Sequence, residues 1–95
     1  MNPKLICIDY DDTYTDFPEL METIIRRSQD LGYEVILATM RYPDEEDSGL
    51  KMLAERINVI YTSRKAKKPY LELLGKYPDI WIDDNPKWII QDSTI

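Results

Sequence analysis

Four short apolar runs punctuate the chain, and each breaks off into polar residues. Leu5-Ile6-Cys7-Ile8 gives way to Asp9-Tyr10-Asp11-Asp12-Thr13, and Val35-Ile36-Leu37-Ala38 gives way to Thr39. Val59-Ile60-Tyr61 runs into Thr62-Ser63 and soon meets a cluster of lysines, while Ile80-Trp81-Ile82 stops at Asp83-Asp84. These runs predict strands near 4–9, 34–39, 58–62 and 79–83.

Between them the spacing turns helical. Phe17, Leu20, Met21, Ile24, Ile25 and Leu31 recur at helical steps. Asp16 is the expected cap of this first helix, with Pro18 in its first turn and Glu19 at the capping-box position; Gly32 marks its stop. A second helix is expected over about 44–57, with Leu50, Leu53, Ala54 and Ile57 facing inward. Its acidic start, Asp44-Glu45-Glu46-Asp47, suits the positive end of a helix dipole. Pro69 is expected to open a third helix ending at Gly75, with Tyr70, Leu71, Leu73 and Leu74 as packing residues. Lys87-Trp88-Ile89-Ile90 reads equally as a helical turn or an edge strand.

Strand and helix in alternation imply an α/β fold with a parallel sheet and right-handed crossovers. No repeat, linker or low-complexity tract interrupts 1–95, so a single domain is expected, with no insertion long enough to form a lid. In such a sheet, ligands bind beyond the carboxyl ends of the strands. The polar residues that end the four runs should therefore converge on one rim.

Composition narrows what that rim can do. The 95 residues contain no histidine, which removes Ser-His-Asp triads, imidazole acid–base chemistry and most zinc sites. The single cysteine, Cys7, sits in an apolar run and cannot form an internal disulfide. With no signal-peptide pattern and no run near the roughly 20 apolar residues of a membrane helix, a cytoplasmic protein is expected. Net charge is −6, which disfavours bulk attraction to nucleic acid or anionic membrane. Against it stands one basic island, Arg64-Lys65-Ala66-Lys67-Lys68.

Asp9 and Asp11 lie two apart on an extended segment, about 6–7 Å along the chain and pointing the same way. Two such carboxylates repel unless a cation joins them, and hard oxygen donors favour Mg²⁺. A polar turn after a strand explains DxDxT on its own; a second acidic pair, Asp83-Asp84, at another strand end turns the balance toward a site. Thr39 offers a hydroxyl at a strand end that can donate to a phosphoryl oxygen, but threonine is also an ordinary strand residue, and only its position gives it weight. A phosphate site rich in carboxylates needs a compensating cation. Lys68, just before Pro69, is the first choice, followed by Lys67 and Lys65. Asp12 and Asn85 read as turn formers, and Trp81 and Trp88 as core.

In this order the residues resemble the four motifs of the haloacid dehalogenase-like (HAD) superfamily, across nearly the whole chain. Asp9-Tyr10-Asp11-Asp12-Thr13 resembles the first motif, Thr39 the second, Lys68-Pro69 the third and Asp83-Asp84 the fourth. The resemblance implies a Rossmann-like three-layer sheet with strand order 3-2-1-4, without a cap domain. It implies a Mg²⁺-dependent phosphomonoester phosphatase or phosphotransferase. Asp9 would be the nucleophile, Asp11 the general acid and base, Thr39 the phosphoryl anchor and Lys68 the charge-balancing cation. Mg²⁺ would be held by Asp9, the Asp11 main-chain carbonyl and Asp83, with Asp84 in support. Thr13, Met40, Arg41 and Lys67 would adjoin the bound phosphate.

The expected substrate is a small phosphorylated molecule or a phosphorylated macromolecule, in a site left open or closed by a second copy. A rival reading is a non-catalytic domain that keeps the metal site for stability or partner binding. A receiver-like signalling domain would end a middle strand on its phospho-accepting aspartate. Here strands two and three end in Thr39 and Thr62-Ser63.

Overall fold

The apolar run Leu5–Ile8 forms β1, and all four of its residues are buried. A computed structural model of the chain describes residues 3–94. β1 pairs in parallel with β2 (Glu34–Thr39) on one side and β4 (Ile80–Ile82) on the other; β3 (Asn58–Tyr61) lies outside β2. The order is therefore β3-β2-β1-β4, as in Rossmann-like sheets. Ile8 sits level with Leu37 and Ile82.

The ladder runs slightly past the strands. Asp9 N–H donates to the Ile82 carbonyl at 2.9 Å, and Thr62 N–H to the Thr39 carbonyl at 2.8 Å. These bonds fix the polar residues at one edge of the sheet before any side chain acts.

Alternation along the strands divides the core in two. Ile6, Ile8, Val35 and Leu37 pack under Met21 and Ile25 of α1 (Pro18–Asp30) and Leu50 and Leu53 of α2 (Ser48–Ala54), with Ile57 beyond it. Leu5, Cys7, Ile36, Ala38 and Ile60 pack with Leu71 of α3 (Lys67–Leu73), flanked by Tyr70 and Trp81. Helices on both faces explain why the runs are apolar throughout rather than alternating.

Several helix boundaries differ from expectation. Asp16 does not cap α1: Phe17 N–H bonds the Thr13 carbonyl at 3.0 Å, and Pro18, which has no N–H, opens the helix. No bond from an Asp16–Glu19 capping box is therefore needed. The acidic run 44–47 is not one helix start. Pro43–Glu45 makes a single tight turn in which Glu45 accepts from Tyr42 N–H, and Asp47 then caps α2 by accepting from Leu50 N–H at 2.9 Å. α3 begins at Lys67 rather than Pro69, because proline is tolerated within a first turn.

Lys87–Ile90 forms a short helix, α4. Ala54 is exposed, as are the expected packing residues Phe17, Leu20, Leu31, Leu73 and Leu74. Trp81 is half-buried and packs against the second core cluster, as expected of a core tryptophan, whereas Trp88 is half-buried and belongs to neither cluster. Among the described residues no helix is long and apolar enough to cross a membrane.

Candidate active site

The buried Asp9 side chain stands at the end of β1, and the chain beyond it makes a wide turn, Tyr10–Tyr14. Thr15 N–H closes this turn on the Tyr10 carbonyl at 3.1 Å, and Asp12 takes a φ of 64°. Aspartate visits this left-handed region more readily than most residues, which is the turn-forming role expected of Asp12. The turn brings Thr13 back against Asp9. Thr13 Oγ1 lies 3.1 Å from Asp9 Oδ2 and 3.2 Å from Asp84 Oδ1, so its one proton serves these two carboxylates. The same oxygen accepts from Asp84 N–H at 3.1 Å. First and fourth strand ends are thus tied through one hydroxyl.

Lys67 crosses the rim from the first turn of α3. Its Nζ is 2.7 Å from Asp9 Oδ1 and 2.6 Å from Asp83 Oδ2. The Lys67 and Asp83 side chains are each only 3% exposed. This corrects the expected order of the lysines. Lys68 is one residue further round α3, points outward and pairs with Glu72 at 3.2 Å. Lys65 is also exposed and lies 4.0 Å from Asp92.

Burial raises Asp9 from the ordinary carboxylate range to about 7, against the pull of the Lys67 ammonium. Burial works against the Lys67 charge, but Asp9 and Asp83 outweigh it and hold Lys67 above its usual range. The same burial pushes the Cys7 thiol up to about 12, so Cys7 stays protonated and inert.

Thr39 ends β2 fully buried, and its hydroxyl accepts from Arg41 N–H at 3.3 Å. Arg41 grips Asp11 with two bonds, Nε to Oδ2 at 3.0 Å and Nη2 to Oδ1 at 2.8 Å. Its remaining nitrogen, Nη1, reaches the Glu45 carbonyl at 2.8 Å and Asp47 Oδ2 at 3.3 Å. The guanidinium also lies over the Tyr10 ring, 5.2 Å from its centroid. Tyr10 in turn donates its hydroxyl to Asp47 Oδ1 at 2.9 Å. Partial burial would raise Asp47, but Leu50 N–H, the Tyr10 hydroxyl and Arg41 hold it below its ordinary value.

This network was not read from the sequence. Asp47 carried only a helix-start signal, and Tyr10 occupies a position that the DxDxT pattern leaves open.

The carboxylates of Asp9, Asp83 and Asp84 each present an oxygen within 4.8 Å of the others. The Asp11 carboxylate is outside this group, held by Arg41, so it is not placed as a side-chain metal ligand. Three hard oxygen donors so grouped fit Mg²⁺, which takes a few carboxylates and leaves the rest of its shell for water and substrate. Lys67 already uses Asp9 Oδ1 and Asp83 Oδ2, which leaves Asp9 Oδ2 and the Asp84 carboxylate turned toward each other across Thr13.

A cavity of about 560 Å³ opens over these groups. Asp9, Asp11, Thr39, Met40, Arg41 and Lys67 line its floor and sides, so the structure gathers them in one place. Asp84 lines it too. Thr13 and Asp83 support it from behind, through the bonds given above. Arg64, Asn85 and Trp88 also line it, and none of them was expected to. Comparison with protein-family models, curated proteins and solved structures finds no match for the chain.

Proposed function

We propose that the protein is a Mg²⁺-dependent phosphomonoester hydrolase working through an aspartyl-phosphate on Asp9, as its resemblance to the HAD superfamily implies. The observation that carries this reading is Lys67, a buried ammonium bridging Asp9 and Asp83 at the floor of a cavity that Thr39 also lines. A lysine spent on stability alone has no need of an open cavity in front of it.

Mg²⁺ held by Asp9, Asp83 and Asp84 would supply positive charge beside the transferring phosphoryl group. Asp9 attacks phosphorus and the bond to the ester oxygen breaks. The leaving oxygen takes a proton from the Asp11 carboxyl. Water then attacks the aspartyl-phosphate, the bond between Asp9 and phosphorus breaks, and Asp11 takes the proton from that water. Inorganic phosphate leaves, and both aspartates return to their starting states. Thr39 donates to a phosphoryl oxygen, and Lys67 offsets charge on Asp9 and on the transferring group.

The test is hydrolysis of p-nitrophenyl phosphate with and without Mg²⁺, with Asp9→Asn as control and mass spectrometry of Asp11→Asn for a trapped phosphoryl group. Metal-dependent turnover lost in Asp9→Asn, with a phosphoryl adduct on Asp9, is the expected result. Turnover unchanged in Asp9→Asn would overturn the reading.

One observation favours the second reading, a metal-binding domain without turnover. The Asp11 carboxylate is engaged on both oxygens by Arg41, which occupies the group that should handle the proton. Stabilisation by Mg²⁺ without any adduct on Asp9 is the outcome that reading requires.

A further inference from the structure

The last described segment of the chain borders the cavity through Trp88 and Ser93. Lys87–Ile90 closes as one helical turn, with Trp88 N–H on the Asn85 carbonyl at 3.1 Å and Gln91 N–H on the Lys87 carbonyl at 2.8 Å. The chain then returns to the loop between β3 and α3. Ala66 N–H donates to Asp92 Oδ1 at 2.7 Å, and Ser93 N–H to the Arg64 carbonyl at 2.8 Å.

The loop it meets is strained. Ser63 and Arg64 both take positive φ, 53° and 71°, where glycine would be easiest. Three sides hold this conformation: Ser63 N–H on the Arg41 carbonyl at 3.3 Å, Arg64 N–H on the Met40 carbonyl at 2.9 Å, and the Ser93 bond. Strain of this kind persists only where the surroundings over-determine it, and it gathers at ligand sites.

The result is a rim built of Arg64, Asn85 and Trp88. Trp88 is the one aromatic side chain among the described residues lining the cavity. Lys87 Nζ, 4.6 Å from the centroid of the indole, steadies the ring. Asn85 beside it offers an amide donor and an amide acceptor. An aromatic plane next to a group that can both give and take hydrogen bonds suits a flat heterocycle with polar edges. A cavity of about 560 Å³ is of the size that encloses a small ligand.

We propose that this rim is the leaving-group subsite, and that it takes the nucleobase of a mononucleotide whose phosphate lies over Asp9. The proposal rests on the hydrolase reading above for the phosphate end and on Trp88 and Asn85 for the base.

AMP and ribose 5-phosphate carry the same sugar and the same phosphate and differ only in the base. Two measurements on this pair test the proposal. The first is kcat/KM for each with Mg²⁺, in the native protein and in Trp88→Ala. AMP is expected to be preferred by about tenfold or more, the scale of one base–aromatic stack, with the preference lost in Trp88→Ala. The second is binding to Asp9→Asn, read by tryptophan fluorescence, with Trp88→Phe leaving Trp81 as the only indole. AMP should quench the Trp88 signal, and ribose 5-phosphate should not.

Turnover of both substrates without preference would overturn the subsite and leave the hydrolase standing. Quenching by AMP without turnover of either would keep the subsite and overturn the hydrolase. A preference for a phosphotyrosine peptide over AMP would assign the rim to a protein partner and overturn the proposal.

Discussion

Arg41 and Asp11 meet through two parallel hydrogen bonds of 3.0 and 2.8 Å, so the second aspartate of the DxDxT segment is held in a fixed plane by a residue two positions beyond Thr39. A fork-to-fork pair of this kind fixes direction as well as charge. Arg41 is itself anchored on the Glu45 carbonyl and Asp47, which makes the loop after β2 the support of the proposed proton-handling group. Arg41→Gln removes the fork and leaves Asp11 free to turn. On the hydrolase reading one of the two bonds gives way when substrate binds, and the other keeps Asp11 directed at it. Phosphomonoester turnover in Arg41→Gln is therefore expected to fall by about tenfold or more, a fraction of what a positioned acid–base group contributes. Steady-state rates of the variant check this, and an undiminished rate would show that Asp11 does not depend on Arg41 for its orientation.

Lys67 and Lys68 are neighbours in sequence and should differ sharply on substitution. Lys67→Met leaves Asp9 and Asp83 facing each other in the interior without their ammonium, and breaking a buried pair in this way costs about 3–5 kcal/mol. Lys68→Met removes only an exposed pair with Glu72 within α3, and a change below about 0.5 kcal/mol is expected. Urea unfolding of the two variants separates these outcomes. Mg²⁺ should restore part of the loss in Lys67→Met, because it supplies the missing positive charge. Equal effects at the two positions would contradict the buried bridge.

The contrast between these lysines marks where the sequence stops being readable. The four strands were legible because short apolar runs ending in polar residues have few other uses, and the strand order follows from parallel crossovers joined to the resemblance. Asp9, Thr39 and the Asp83-Asp84 pair then fall at the rim by register alone. The choice of lysine depends on where α3 starts, and Pro69 suggested a start two residues too late. One residue of error on a helix is a rotation of about 100°, enough to exchange the inner lysine for the outer one. Trp88 was read as core because a large aromatic near an apolar run usually is. Its place at the cavity depends on bonds from Asp92 and Ser93 to the loop at 64–66, which leave no periodic trace.

Burial of Asp9 gives the metal-free protein a definite pH dependence. Asp9 has an ordinary value of 3.8 and is raised to about 7 in the folded chain. A group whose pKa rises on folding stabilises the fold while it is protonated. Its contribution is whole below the unfolded value and is lost as pH rises through the folded one. Asp9→Asn cannot ionise and escapes this loss. Without metal, the melting temperature of Asp9→Asn should therefore gain on that of the native protein between about pH 4 and about pH 7. Mg²⁺ favours the ionised carboxylate, so its stabilisation of the native protein should grow over the same interval. A difference between the two proteins that stays flat with pH would show that Asp9 is ionised throughout.

Gly49 joins the site to α2 in a way that inverts the usual rule for helical glycines. Replacing an exposed helical glycine by alanine ordinarily stabilises by about 1 kcal/mol. A Cβ built on Gly49, however, falls on the Tyr10 hydroxyl, and that tyrosine is only 4% exposed. The hydroxyl cannot retreat without leaving Asp47, which both caps α2 and receives Arg41. Gly49→Ala is therefore expected to destabilise by about 1–2 kcal/mol, the combined scale of overpacking and of a displaced hydrogen bond less the helix gain. Tyr10→Phe removes the colliding oxygen at the cost of the same hydrogen bond. In the double variant the alanine should recover its helical benefit, so the two changes together should cost less than their sum. A double-mutant cycle by urea unfolding measures this coupling, and strict additivity would mean that Tyr10 and Gly49 do not touch.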